Sequence, residues 1–196
     1  MYIYFFKRGI DILVSLLILP LVVIEICILG PIIFFTDKGP IFYNGERMGK
    51  NGKKFKMFKL RSMYTNSKDI RNLDGSTYSS VNDSRVTPIG RFLRKTSLDE
   101  FPQFFNVLIG DMSLVGPRPS LTTTPYSKYS EVRKTRVSVR PGVTGYSQAY
   151  FRNSIGQDEK FKYDIYYINN ISFMLDIKIL FTTFWNVLVN KNINTN

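Results

Sequence analysis

Histidine is absent from all 196 residues, and cysteine occurs once, at Cys27. The first absence excludes Ser-His-Asp triads, imidazole general bases and histidine-ligated metals. The second excludes disulfides within the chain, zinc clusters and Cys-His nucleophiles. Acidic residues are scarce beside basic ones, 15 Asp and Glu against 27 Lys and Arg, for a formal charge of +12. Such an excess calls for an anionic partner: nucleic acid, anionic lipid or a phosphorylated substrate. Walker loops, Gly-rich dinucleotide fingerprints and internal repeats are also missing. Any catalysis must therefore use Asp, Glu, Ser, Thr, Tyr, Lys or Arg, with a metal held only by oxygen ligands.

The length fits about one domain. One segment is apolar on the scale of a membrane, Ile10 to Phe35, where roughly 20 apolar residues suffice to cross a bilayer. It is too long for a signal peptide, and no A-x-A-like cleavage site follows it. Pro20 lies near its middle, Asp11 and Glu25 interrupt it, and Gly30-Pro31 comes before its end. Lys7-Arg8 precede the run and Lys38 follows it, so both flanks favour the cytoplasmic side. These features predict a helix–break–helix hairpin that bends at Pro20 and returns to the face it entered. A single kinked span is the simpler alternative. The C-terminal "ISFMLDIKILFTTFWNVLV" is divided by Asp176 and Lys178, and reads as an interfacial or core helix.

Asn51-Gly52 suits a tight turn between two short extended segments. Alternation along the second would put Phe55, Met57, Lys59 and Arg61 on one face, a candidate phosphate contact or a solvated edge. Residues 64–84 are rich in Asn, Ser and Asp and read as a loop. Arg85, Arg91 and Arg94 then lead into "TSLDEFPQFFNVLIGDMSLVGPRP". Phe104 to Ile109 reads as a short helix stopped by Gly110. Asp99 and Glu100 stand side by side here despite their mutual repulsion. Ser97-x-x-Glu100 matches a capping box, which explains Glu100 cheaply. The surrounding cations favour a second explanation: Arg94 lies just upstream, and Arg118 sits between Pro117 and Pro119 in a stiff turn suited to gripping phosphate. Carboxylates among phosphate-binding arginines make sense where Mg²⁺ neutralises charge and one carboxylate attacks phosphorus.

Together "KRGIDILVSLLILPL", "GKNGKKFKMFKLRSM", "RFLRKTSLDEFPQFFNVLIGDMSLVGPRP" and "RPGVTGYSQAYFRN" resemble the bacterial sugar transferases. More narrowly they resemble the small monotopic phosphoglycosyl transferases that start glycan assembly on polyprenyl phosphate. The likeness runs from about Phe5 to the C-terminal helix. It implies transfer of sugar-1-phosphate from a UDP-sugar to undecaprenyl phosphate, with release of UMP. It implies Asp99 as the nucleophile carrying a covalent phosphosugar, and Glu100 with Asp99 as the Mg²⁺ site. Lys59, Arg61, Arg85, Arg94 and Arg118 would serve substrate phosphates, and Arg152 and Asn153 a loop associated with the nucleotide. Two positions depart from the pattern: Tyr150-Phe151 where many relatives have Asn-Gly, and Gly45 where they often have Gln.

The expectation is an α/β (α+β type) fold, with residues 1–38 as a re-entrant hairpin broken at Pro20. Residues 39–196 would form one catalytic domain with interfacial helices, on the cytoplasmic face of the bacterial plasma membrane. Membrane phospholipids are expected partners and nucleic acid is not. A non-catalytic, membrane-tethered basic protein accounts for the charge and the anchor, but not for the carboxylate pair. A phosphohydrolase using the same aspartate would need no lipid acceptor.

Overall fold

The computed structural model describes residues 2, 6–70, 78, 80, 82–152 and 154–189. Its first element, α1, is one helix of 31 residues, Lys7–Asp37. Asp11, Ser15, Val22, Glu25, Gly30 and Ile33 form a buried stripe along it, packed against the rest of the chain. Leu13, Leu17, Leu21, Ile24, Ile28, Ile32 and Phe35 are exposed on the rest of its surface. Among the described residues this is the one helix long and apolar enough to cross a membrane.

The helix–break–helix expectation is corrected here, because α1 continues through both Pro20 and Pro31. Each proline removes one backbone N–H, a cost of roughly 3 kcal/mol. The buried stripe extends on both sides of Pro20, so packing holds the two halves in one helix.

Both ends of α1 are fastened to the same folded unit. At the start, Lys7 Nζ lies 2.6 Å from Asp176 Oδ2. Arg8 donates to the carbonyls of Val107 (2.6 Å) and Leu108 (3.0 Å), at the C-terminal end of helix α3, Gln103–Ile109. A cation suits those carbonyls, which have no partner within their own helix. Asp11 Oδ1 accepts from the Leu114 N–H at 3.0 Å and the Ser113 hydroxyl at 3.1 Å. At the far end, Asp37 is gripped by Arg61, with both Nη–Oδ distances 2.6 Å.

After α1, strands β1 (Gly45–Met48) and β2 (Lys54–Met57) form the expected hairpin around a 3₁₀ turn, Lys50–Gly52. Asn51 and Gly52 take the positive φ that the turn demands, 54° and 80°. A short strand, β4 (Ser120–Leu121), joins β1 on its other edge. Separately, β3 (Ser113–Val115) pairs in parallel with β5 (Gly142–Thr144). Phe55 and Met57 of β2, Val107 of α3, Met112, and Leu114 and Val115 of β3 share one core. Tyr167 of α6 (Gln157–Asn169) and Ile179 of α7 (Phe173–Leu188) complete it. Helix α7 turns Asp176, Ile179 and Asn186 inward and leaves Phe173, Ile177, Phe181, Phe184, Trp185 and Leu188 exposed. The mixed helix-and-sheet class matches the sequence expectation.

Two glycines let the loops of the sheet end interlock. A Cβ on Gly142 would lie 2.1 Å from the Gly116 nitrogen, and one on Gly145 2.1 Å from the Gly116 oxygen. Backbone bonds Gly116 N–Thr144 O (2.9 Å) and Gly142 N–Pro117 O (3.0 Å) fix the 116–119 turn on this second loop. That turn carries Arg118.

Candidate active site

Helix α2, Pro88–Thr96, starts well: Thr87 caps it by accepting from the Gly90 N–H at 2.9 Å, and Pro88 occupies the first position. It ends at Ser97, whose φ of 59° reverses the chain into a 3₁₀ turn, Leu98–Glu100. The capping-box explanation of Glu100 falls at this point. Ser97 closes the preceding helix instead of opening the next, and its side chain makes no capping bond. Glu100 turns to cations instead.

The turn docks on the segment after β2 through a 2.9 Å bond from the Leu60 N–H to the Asp99 carbonyl. Lys59 is thereby set beside both carboxylates, its Nζ 2.7 Å from Asp99 Oδ2 and 3.3 Å from Glu100 Oε1. Arg118 approaches the same Glu100 oxygen at 3.4 Å. Burial opposes ionisation of Glu100, but Lys59 and Arg118 prevail and bring its carboxyl down to about 2. Burial likewise disfavours the Lys59 ammonium, yet Asp99 and Glu100 hold it above its ordinary range. Lys59 is the reason that two neighbouring carboxylates can coexist here.

Asp99 is 2 % exposed, and its Oδ2 has no hydrogen-bond partner. The 2.7 Å approach of Lys59 is thus an ionic contact whose angle is too poor for a hydrogen bond. No set of three or more metal-ligating side chains occurs among the described residues. The donor set still fits Mg²⁺, which takes one or two carboxylates and completes its shell with water and substrate phosphate. Lys59 sits against Asp99 Oδ2, and both Lys59 and Arg118 approach Glu100 through Oε1 rather than Oε2.

The predicted arginines divide into two groups. Arg94 donates from Nε to Ser62 Oγ at 2.9 Å and lies in the field of Asp99 and Glu100. Arg152 is partly buried and is acted on by Glu100. Arg118 keeps just over half of its side chain in solvent. Arg61 and Arg85 are already engaged elsewhere. Arg61 spends its donors on Asp37 and on the carbonyls of Ile33, Pro40 and Met63. Arg85 pairs with Asp83 through Nε and Nη2 and donates to the Lys68 carbonyl. Both act as braces of the backbone, and the structure does not bring them to the Asp99–Glu100 pair. Asn153 lies outside the described residues. Phe151 stacks on Tyr163 (4.1 Å between centroids), and Tyr150 packs on Tyr146 (4.7 Å), forming an aromatic stack behind Arg152.

Sequence reasoning missed two features. One is the buried pair of Arg136, at the end of α4 (Glu131–Arg136), with Asp164 of α6 at 2.6 Å. A carboxylate three positions before the buried Tyr167, on the same helix face, was the available signal. The other is Glu25, buried on α1 with both carboxylate oxygens lacking a hydrogen-bond partner. Its signal was plain, a carboxylate in an apolar run.

A family profile described as bacterial sugar transferase matches residues 2–190, nearly the whole chain. The chain belongs to the bacterial sugar transferase family. Among curated relatives of this sugar transferase, a Klebsiella pneumoniae protein named UDP-glucose:undecaprenyl-phosphate glucose-1-phosphate transferase is 41% identical over 194 residues. That match covers 95% of this chain and 41% of the relative. An Aeromonas hydrophila protein, named UDP-N-acetylgalactosamine-undecaprenyl-phosphate N-acetylgalactosaminephosphotransferase, is 36% identical over 94% of this chain and 44% of its own length. A Bacillus subtilis protein called uncharacterized sugar transferase EpsL is 41% identical, with 86% of this chain and 83% of the relative covered. The sugar transferase thus spans about two fifths of the first two relatives and most of the third.

Proposed function

We propose that this sugar transferase moves a sugar-1-phosphate from a UDP-sugar to undecaprenyl phosphate, in two steps through Asp99. One observation carries the reading: a buried aspartate lacking an aligned donor on Oδ2, neutralised by Lys59 and flanked by arginines suited to phosphate. The names of the Klebsiella and Aeromonas relatives support this reaction. They differ in the sugar, so the donor hexose is not carried over.

In the first step an Asp99 carboxylate oxygen attacks the sugar-bearing phosphorus. The bond to the bridging oxygen breaks, and UMP leaves with that oxygen. In the second step a phosphate oxygen of the lipid attacks the same phosphorus, which restores the carboxylate and forms the lipid diphosphate sugar. Lys59 neutralises and orients Asp99, while Arg94, Arg118 and Arg152 stabilise charge on the transferring phosphates. Mg²⁺ held by Asp99 and Glu100 would supply further neutralisation of the diphosphate.

The membrane reading follows from α1. Both ends of this continuous helix and the stripe between them bind one folded unit, so it is read as lying on one side of a bilayer with its exposed apolar residues in lipid. Basic flanks at Lys7-Arg8 and Lys38 support a cytoplasmic reading of that side. The deciding experiment incubates the full chain with Mg²⁺, undecaprenyl phosphate and a panel of UDP-sugars, and scores UMP. Release that needs both lipid and Mg²⁺ is expected. Salt-dependent lipid binding without UMP release from any donor would overturn the reading.

A further inference from the structure

We propose that the buried Arg136–Asp164 pair is a positioning unit that sets the spacing of Arg118 and Arg152, and with it the grip on the donor diphosphate. The proposal rests on the nucleotide-sugar reading above. Arg136 and Asp164 are 6 % and 1 % exposed, and a buried ion pair generally does little for net stability. Its bonds lead toward the site in two directions.

Toward Arg118, one guanidinium does three things. Nε meets Asp164 Oδ2 at 2.6 Å, Nη1 donates to Ser120 Oγ at 2.7 Å, and Nη2 donates to the Arg118 carbonyl at 2.7 Å. The Arg118 backbone is thus held from behind while its side chain reaches forward to Glu100 at 3.4 Å. Phe161 lies over the Arg136 guanidinium at 4.4 Å, which fixes the plane of the fork. Toward Arg152, Asp164 Oδ1 accepts from Ser147 Oγ at 2.8 Å. The Ser147 carbonyl in turn accepts from the Arg152 N–H at 3.0 Å. Arg152 has a φ of 47°, a left-handed conformation that a non-glycine residue keeps only with support. A continuous series of short bonds therefore joins Arg118 to Arg152 through Arg136, Asp164 and Ser147. A lysine at 136 would keep the charge but lose the planar fork that reaches three partners.

The test uses the full chain in detergent or nanodiscs. Ser147→Ala removes the Ser147 Oγ–Asp164 bond and keeps the backbone bond from Arg152, Arg136→Lys removes the fork, and Thr183→Val removes a side-chain bond outside this series, Thr144–Thr183 at 2.7 Å. The readouts are KM for the UDP-sugar, KM for undecaprenyl phosphate, calorimetric Kd for UDP, and Tm. Ser147→Ala and Arg136→Lys should raise the donor KM and the UDP Kd about tenfold, leave the acceptor KM within about twofold, and differ from Thr183→Val. Combining Ser147→Ala with Arg118→Lys should cost less than the product of the single effects, because both loosen one grip. Equal increases in both KM values, an unchanged UDP Kd, or the same pattern from Thr183→Val would overturn the proposal. If Arg136→Lys fails to fold, Ser147→Ala decides alone. Should wild type neither bind UDP nor release UMP, the functional reading fails and the positioning proposal falls with it. Wild-type UDP binding that Ser147→Ala does not change overturns the positioning alone.

Discussion

Replacing Lys59 by Met tests whether one ammonium makes the adjacent carboxylates tenable. Its Nζ is 2.7 Å from Asp99 and 3.3 Å from Glu100. At an effective dielectric near 20, each contact is worth roughly 5–6 kcal/mol before desolvation. Measured losses on breaking buried pairs are about 3–5 kcal/mol. Arg118 would remain at 3.4 Å and largely in solvent, with Arg94 and Arg152 acting through their fields. In wild type the lowered Glu100 carboxyl, about 2 against an ordinary 4.5, contributes stability that is fully present above pH 4.5 and lost between 4.5 and 2. In Lys59→Met, burial and mutual repulsion should raise one of the two carboxyls above its ordinary value. The pH slope then reverses: the variant is most stable at low pH and loses stability as pH rises through the raised value. Denaturant unfolding in detergent between pH 4.5 and 8 should show a deficit of about 3 kcal/mol near neutrality that shrinks toward pH 4.5. Turnover should fall, because both carboxylates lose the cation that neutralises them. A deficit constant across this range would refute the neutralising role of Lys59.

The two carboxylates should fail differently. With nucleotide sugar and no lipid acceptor, intact-mass spectrometry should find a sugar-phosphate adduct on wild type and none on Asp99→Asn. Glu100→Gln should form it slowly, with recovery at high Mg²⁺, and an adduct persisting in Asp99→Asn would move the nucleophile elsewhere. Arg61→Lys should lower stability by about 3 kcal/mol, because one ammonium cannot replace its contacts to Asp37 and three carbonyls, and should leave the donor KM unchanged. A raised KM at unchanged stability would return Arg61 to the phosphate site. Glu25→Leu removes a buried carboxylate that has no hydrogen-bond partner, so Tm in detergent should rise, reflecting about 1–3 kcal/mol. An unchanged or lower Tm would show that Glu25 is stabilised in a way its surroundings do not reveal.

Local chemistry was legible in the sequence where its partners were close along the chain. Asn51-Gly52 turned as expected, Gly110 ended α3 with a φ of 99°, and Asp99 and Glu100 came together with Arg94 and Arg118. Failures came where the deciding partner was remote. Lys59 and Arg61 share a face only if β2 continues, but the strand stops at Met57 and the two side chains part. Arg61 went to Asp37, 24 residues away, and Arg136 to Asp164, 28 away, neither pairing being visible in a local window. The S-x-x-E pattern misled because Ser97 took a left-handed conformation to close α2. Pro20 was read as a break because its local cost is certain, whereas the stripe that outweighs it appears only once α1 has something to pack on.

The ties at the start of α1 also constrain the order in which the molecule can be assembled. Lys7, Arg8 and Asp11 are synthesised well before their partners, which lie about a hundred residues later or more, ending with Asp176, 169 positions on. At 5–20 residues per second, Lys7 waits on the order of ten to thirty seconds for its carboxylate. Throughout that interval the apolar helix is complete, but Asp176, which holds Lys7, has not been made. The catalytic unit therefore closes last around its own beginning. A nascent chain interrupted before α7 would leave the apolar helix with Lys7 unpaired, a ready substrate for quality control.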